Sequence, residues 1–394
     1  LAVAAAFSSG APVARAQPAG LQAIHGSASV ASQGNKTVIT TTNGAGSGHS
    51  ALNWQSFSVP AGTLTQFNQP STNSTSINRV VGNNPSAIFG TLSSNGRLVL
   101  VNPAGIAVGA GAVVDTAGFT ASTLRMSEAD ALAGRLRFGD GGLAGSMGVN
   151  GQVVARSGDV VLIAPNVQTG EQAVVQSPNG ATVIAAGQKV ELTGRGLEGI
   201  RLELQAPDNQ AVNLGQIQGD AVGVFAGQLR HSGLIQATAV TAEGGKVVLK
   251  AQGEADVAGR VTAQKASLGG QIHATASKVR LRSGAVIDAS GAAGGGEVLV
   301  GGGWQGKDAR VANAQETVAE TGSTIKADAT DNGNGGTVVL WSDGTTRFAG
   351  AISARGGADG GNGGQVETSG KETLFARGGR VDTRAPRGAT GNWL

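Results

Sequence analysis

The sequence predicts an all-β chain wound into a right-handed parallel β-helix with an N-terminal cap. Three observations predict it: a repeat of about 26 residues, two-residue alternation inside each repeat, and glycine pairs at fixed places in a long stretch free of proline. The repeating unit is an apolar residue, a spacer, Ala, a variable loop, Gly-Gly, a spacer and a second apolar residue. Copies begin at Ile235, Val261, Ile287, Ile325 and Ile352, at steps of 26, 26, 38 and 27 residues. Repeats of this length signal stacked supersecondary units, each burying its apolar face against the next. The long step carries GWQGKDARVANAQET from Gly303, which reads as a loop inserted into one unit.

Within the units apolar residues alternate. Val247 and Leu249 share one face of KVVLKA, and Val279 and Leu281 share one face of KVRL; KVELT at 189–193 and RLEL at 201–204 alternate likewise. Such strands have one buried and one solvated face. The Gly-Gly pairs are expected to supply the positive φ needed for sharp turns. Proline is missing from 208 to 385, as it must be where every N–H joins a ladder. A β-sandwich gives no reason for a 26-residue translation, and right-handed crossovers are the rule for parallel strands.

The open end of such a stack needs covering, and residues from about Leu21 to Pro60, with Trp54 and Phe57, are the candidate cap. The stretch from 60 to 150 repeats less clearly, although Ser127, three residues before Asp130, can cap a short helix there. We divide the chain into a signal-peptide remnant (1–16), an N-terminal module (17–250) and a glycine-rich stem (251–394). The apolar run LAVAAAFSSG, then Pro12 and Ala14-Arg15-Ala16, places a signal-peptidase cut after Ala16. Export to a place outside the cytoplasm follows from that reading.

Composition removes other classes. Glycine reaches 66 of 394 residues, yet it keeps no three-residue period and there are only ten prolines, so the chain is not collagen-like. No later segment is long and apolar enough for a membrane helix. The balance of 29 basic and 26 acidic residues is scattered and asks for no nucleic-acid partner. With no cysteine, disulfides and thiolate metal sites are impossible.

Nothing in the sequence locates catalysis. His25, His49, His231 and His273 lack ligand spacing and read as turn or surface residues; no metal and no cofactor is assigned. No nucleophile elbow, phosphate loop or HExxH occurs. DNGNGG (331–336) and DGGNGG (359–364) place Asp before the glycines, unlike calcium-binding solenoid turns, and read as structural turns. Asp288, Asp328, Asp331, Asp343 and Asp359 sit mostly at turns, and spacing alone does not gather them into the carboxylate group of a β-helical polysaccharide enzyme. Trp304, Trp341 and Trp393 are read as shields over glycine-rich turns rather than sugar platforms.

Residues 53–124 carry an ordered chain of motifs: NWQSFSV, then FNQPSTNSTSINRVVGNNPSAIFGTLSSNGRLVLVNPAGIAVG, then GFTASTL. This run resembles the N-terminal secretion domain of filamentous-haemagglutinin-type exoproteins of two-partner secretion systems. With Ile77-Asn78-Arg79-Val80 it is similar to the branch that includes high-molecular-weight adhesins and haem-acquisition exoproteins. It departs where the family's Asn-Pro-Asn-Gly reads Asn102-Pro103-Ala104-Gly105. The tail, with GGTVVLWSDGTTRFAGAISARGG, GGQVETSG and GNWL, resembles downstream stretches of such exoproteins, where GNWL is usually continued. The resemblance implies a β-helix exported through an outer-membrane β-barrel partner with periplasmic POTRA domains. The product would be a monomer, secreted or held on the surface of a Gram-negative bacterium after a transient periplasmic stage, and its ligand a host-cell glycan or protein. It also implies a secretion motif, to which we assign Asn78, Arg79, Asn95, Gly96, Asn102, Pro103, Gly105 and Ile106. As plain structure, Asn102 to Gly105 is a turn after a strand, with Asn102 bonding its own backbone or joining an amide ladder. Both readings of that turn stand at this point. A capture protein and a polysaccharide-active enzyme are the competing functions.

Overall fold

The computed structural model describes residues 17–394 except 140 and 241–244; the expected signal segment and Gly244 lie outside the described residues. The sequence rows become three ladders of strands running the length of one stack. One ladder contains the register Ile235, Val261, Ile287, Ile325, Ile352 and then Val381. A second contains Val247, Ile272, Val298, Val338, Val366 and then Trp393. Each sequence repeat is therefore one coil of a parallel β-helix, and residues at the same place in the repeat are hydrogen-bonded neighbours. The third ladder is an eleven-stranded parallel sheet that starts at Ser86–Ile88 and ends at Thr373–Phe375.

The inward residues form one continuous apolar core from Ile39 to Val366, made largely of Val, Ile, Leu and Ala. Burying each branched side chain contributes roughly 1.5–3 kcal/mol. Small aliphatic residues suit the narrow interior, and the larger aromatics Trp54, Phe57 and Phe67 are gathered at the N-terminal end. There Trp54 meets Phe57 edge-on at 5.6 Å, and Phe57 lies 6.1 Å from Phe67.

The cap is shorter than the sequence suggested. Strand Gln22–His25 runs antiparallel to His49–Trp54, and Ser27–Gln33 forms a hairpin with Lys36–Thr42. The second strand of each pair already stacks in parallel on the following coil. Antiparallel pairing thus ends the ladder, and the first coil begins inside the expected cap.

Upstream of Ile235 the same ladder continues through Leu92, Val114, Val153, Val175 and Ile217. These positions are 22, 39, 22 and 42 residues apart, with 18 more to Ile235. The two long steps hold insertions. One carries the helix Glu128–Ala133, capped by Ser127 Oγ on Asp130 N as expected, and strand Leu136–Phe138. The other carries Lys189–Leu192 and Ile200–Leu204, the two alternating segments at 189–204. These are not coil strands: they leave the stack and pair antiparallel with each other, and Lys189–Leu192 also pairs with Leu136–Phe138. This small sheet and the helix bury a second apolar cluster on the outside of the stack, including Ile77, Val99, Ile163, Val183, Phe138 and Val190.

The glycine pairs need a different explanation from the one expected. Of the described members only Gly245 has positive φ, at 72°. Gly270, Gly296, Gly336, Gly364 and Gly391 instead stack on Gly245 and on one another. A Cβ on any of them would overlap the carbonyl oxygen of the glycine one coil before. Their N–H groups close each coil, as in Gly296 N to Ala289 O at 2.8 Å and Gly336 N to Ala327 O at 2.7 Å. Close approach of backbone to backbone, not turn conformation, selects glycine here.

Candidate secretion motif

Neighbouring residues of strand Thr75–Val80 serve opposite sides of its sheet. Asn78 points inward and is fully buried. Its Oδ1 accepts from Trp54 Nε1 at 2.9 Å. Its Nδ2 donates to Ser76 O at 3.0 Å and Ser76 Oγ at 3.1 Å, with a longer contact to Val99 O. Arg79 points outward under the added layer. It donates from Nε to Met126 O and from Nη1 to Asn53 Oδ1, each at 3.1 Å, and lies 3.6 Å from Glu128. Arg79 thereby holds the helix insertion against the stack.

Asn78 and Arg79 pair with Leu100 and Val101, so Asn102 follows at the same corner. Asn102 is also fully buried. Its Oδ1 accepts from Ala104 N at 3.0 Å, and Gly105 N donates to Asn102 O at 3.1 Å, closing the expected turn. Its Nδ2 crosses to the preceding coil and donates to Asn84 O at 3.0 Å and Ser86 Oγ at 2.9 Å. Gly105 has φ 123°, outside the range that side-chain-bearing residues favour. Pro103 O accepts from Gly145 N at 2.8 Å, and buried Ile106 enters the third ladder between Ser86 and Met147.

Asn95 and Gly96 stand at the other end of strand Arg97–Val101, roughly 20 Å from Asn102 at about 3.3 Å per residue. Asn95 is exposed, and its amide mimics a peptide strand: Oδ1 accepts from Gln69 N at 2.7 Å and Nδ2 donates to Gln69 O at 2.8 Å. A Cβ on Gly96 would crowd Gln69 and Ser74 O. The eight motif residues therefore occupy two corners and do not make one surface. Sequence reasoning missed Trp54, Gln69 and Ser86 as partners, although the polar residues flanking each motif Asn were visible.

The histidine expectation is corrected at two positions. His231 lies inside the stack, where Nδ1 meets Asn213 Nδ2 at 3.0 Å and Nε2 meets Arg260 O at 3.2 Å. Burial pulls its pKa down to about 4, since a charged imidazole would lose its water there. His273 is also buried, 2.9 Å from Glu297. Glu297 is held below the usual carboxylate range by that contact and by Arg310. Among the described residues no three His, Cys, Asp or Glu side chains gather into a metal cage. No described helix is long and apolar enough to cross a membrane. Trp341 covers Gly302 and Gly306 as a shield, whereas Trp393 is half exposed.

A family model described as the TPS secretion domain matches residues 14–298. The crystal structure of the HMW1 secretion domain from Haemophilus influenzae superposes with a TM-score of 0.84 at 32% identity, covering 95% of this chain and 100% of that one. Two heme/hemopexin-binding proteins of Haemophilus influenzae are similar. One is 28% identical over 261 residues, which is 60% of this chain and 28% of that protein. The other is 37% identical over 78 residues, 20% and 8% of the respective chains. This chain thus spans the smaller part of the length of its curated relatives. The family is one of secretion domains of exported exoproteins rather than of enzymes. A parallel β-helix with an outer helix-and-sheet layer, and a family match over most of its length, make this chain a member of the TPS secretion domain family.

Proposed function

We propose that residues 17–250 direct export as an unfolded chain through a cognate outer-membrane β-barrel with periplasmic POTRA domains, and that residues 251–394 begin the stem of the exported exoprotein. The observation that carries this reading is the burial of Asn78 and Asn102. Both amides are consumed inside the fold, so a partner can read them only before folding. The same residues then lock the first coils after export. This arrangement suits a Gram-negative cell, in which the chain crosses the periplasm without folding and folds outside.

The fold supplies the physical side of the reading. Coils touch only their neighbours, so the chain folds as it emerges and cannot slip back. The test is a lock: with Val113→Cys and Gln152→Cys, paired across adjacent coils, a disulfide forms only in the folded chain. If the chain crosses the periplasm unfolded, the secreted protein should carry the disulfide while the periplasmic pool keeps both thiols free. Disulfide-bonded protein in the periplasm that is still exported at the normal rate would overturn the reading.

For the exported product, similarity to the HMW1 secretion domain and to proteins named heme/hemopexin-binding supports adhesion or ligand capture by parts beyond this module, and we assign no enzymatic role. A glycan and host-protein binding screen beside a reducing-sugar assay separates these. Sugar release that disappears on substituting a surface Asp would sink the non-enzymatic assignment.

A further inference from the structure

The outer layer does not close completely against the stack. One row of its small sheet is Leu136, Leu192 and Ile200, paired side by side. All three are only partly buried against the second apolar cluster. In the stack beneath, Thr75, Arg97 and Gly118 follow one another on successive coils. Asp159 is next in that row, its carbonyl bonded by Phe119 N at 2.9 Å. Both rows line one groove of about 570 Å³, a volume in the range of small-molecule sites. From Thr75 to Asp159 the groove crosses four coils, roughly 14 Å at about 4.8 Å per strand. Val99 and Val161, nearly fully buried, line it as well. Gly118 leaves a notch in its floor, where a Cβ would lie 3.3 Å from Arg97 Cγ.

The charges on this groove do not balance. Its two carboxylates are already engaged. Asp159 accepts from Ala181 N at 2.9 Å and Gly196 N at 3.0 Å, with Arg195 at 3.6 Å. Glu191 is held by Arg137 at 2.6 Å. Of the three arginines that line the groove, Arg135 pairs with Asp130, and Arg195 also donates to Ser157 O and Asn179 O. Arg97 differs: among the described residues its guanidinium makes neither an ion pair nor a hydrogen bond. A free guanidinium beside aliphatic walls suits an anion that carries an apolar chain. A peptide laid there would bury N–H groups that Val, Leu and Ile cannot receive, whereas an alkyl chain brings none.

We propose that this groove binds a single-chain aliphatic carboxylate of the fatty-acid class. The head sits on Arg97, with the half-exposed Arg135 and Arg195 adding positive charge at the rim. The chain lies along Val99, Val161 and the row Leu136, Leu192 and Ile200. Binding needs the folded outer layer and does not depend on how the chain is exported.

Dodecanoate is the probe, titrated by calorimetry into the purified chain below its micelle concentration. One saturable site is expected. Dodecanol, which lacks the charge, and hexanoate, which lacks half the chain, should each bind at least tenfold more weakly. Arg97→Gln should weaken dodecanoate roughly tenfold, as loss of a charge-assisted hydrogen bond does. Gly118→Val puts a branched side chain into the floor and should abolish uptake while leaving the β-sheet circular dichroism unchanged. If one variant fails to fold, the other decides. A folded wild-type chain without a saturable site overturns the proposal, and so does unchanged affinity in either folded variant. Equal binding of dodecyltrimethylammonium would overturn it by removing the role of charge. Displacement of dodecanoate by an equal concentration of an acidic leucine-rich peptide would overturn it in favour of a peptide site.

Discussion

Single polar residues inside the stack do work that aliphatic residues cannot. Asn102 ties two coils together through Nδ2, so Asn102→Asp replaces two donated bonds by repulsion between oxygens. We expect a loss of roughly 1–3 kcal/mol, read as a lower urea midpoint, and slower refolding of the purified chain. Adding Asn78→Asp, which also breaks the bond to Ser76, should block export as well. Normal refolding with failed export would show that the transporter reads these side chains; normal export of the double variant would leave them purely structural. His231 gives a second prediction. Its pKa is about 4 in the fold against 6.5 in the open chain, so the unfolded chain binds the extra proton. Its contribution is complete above pH 6.5 and is lost as pH falls towards 4, by roughly 3 kcal/mol at 1.36 kcal/mol per unit. Urea midpoints measured across that interval should fall with acid, and the slope should flatten by about one proton in His231→Gln. An unchanged slope would place the titration elsewhere. The Asn102 turn was legible beforehand, but its bonds to the preceding coil and the burial of His231 were not: a lone histidine carries no sign of which way its strand faces, and that depends on a register set by other coils.

At the scale of elements, the glycine seam is the sharpest test. In Gly336→Ala the new methyl meets Gly296 O, and the N–H that closes the coil on Ala327 is pushed aside. We expect this one methyl to cost roughly 1–3 kcal/mol, in the range of overpacking a tight site, and Gly335→Val with Gly336→Val to cost more. Gly284→Ala, at a positive φ in open space, should cost about 1 kcal/mol through backbone strain alone. Comparing the thermal midpoints separates crowding from strain; equal losses would return the turn explanation. The stem was readable because three of its four steps are nearly equal, and the apolar rows named from spacing alone are the rows that pair. The N-terminal half hid the same ladder. Its steps of 22, 39, 22, 42 and 18 residues vary because two insertions build the outer layer, and alternation in KVELT and RLEL looks alike whether a strand stays in the stack or leaves it. The mechanism of the glycine pairs was misread because a sequence shows which residue lacks a Cβ and not what lies where the Cβ would be.

Across the whole molecule, stability should be distributed rather than all-or-none. Ending the chain after residue 350 removes the last coils but leaves every upstream neighbour contact. That truncation should keep its β-sheet circular dichroism per residue and lose little in urea midpoint. Deleting residues 17–35 instead strips the antiparallel cover from two ladders and should produce concentration-dependent aggregation, seen by light scattering. A soluble, monomeric deletion would show that the hairpin is dispensable.

The unequal steps of the first half have a consequence for phase. Successive stem coils present almost the same rows of Ile, Ala, Gly and Val, so a coil pairing with its second neighbour would meet nearly the same partners as with its first. Little in the stem itself forbids such a slip. The upstream coils resist such a slip, because neighbouring coils differ in length and carry polar keys: Asn78 bonds Trp54, Asn95 bonds Gln69, and Asn102 bonds Ser86. The N-terminal module therefore acts as a start codon does for a reading frame. It sets which coil counts as the first, and every interchangeable coil added afterwards inherits its place from that one decision.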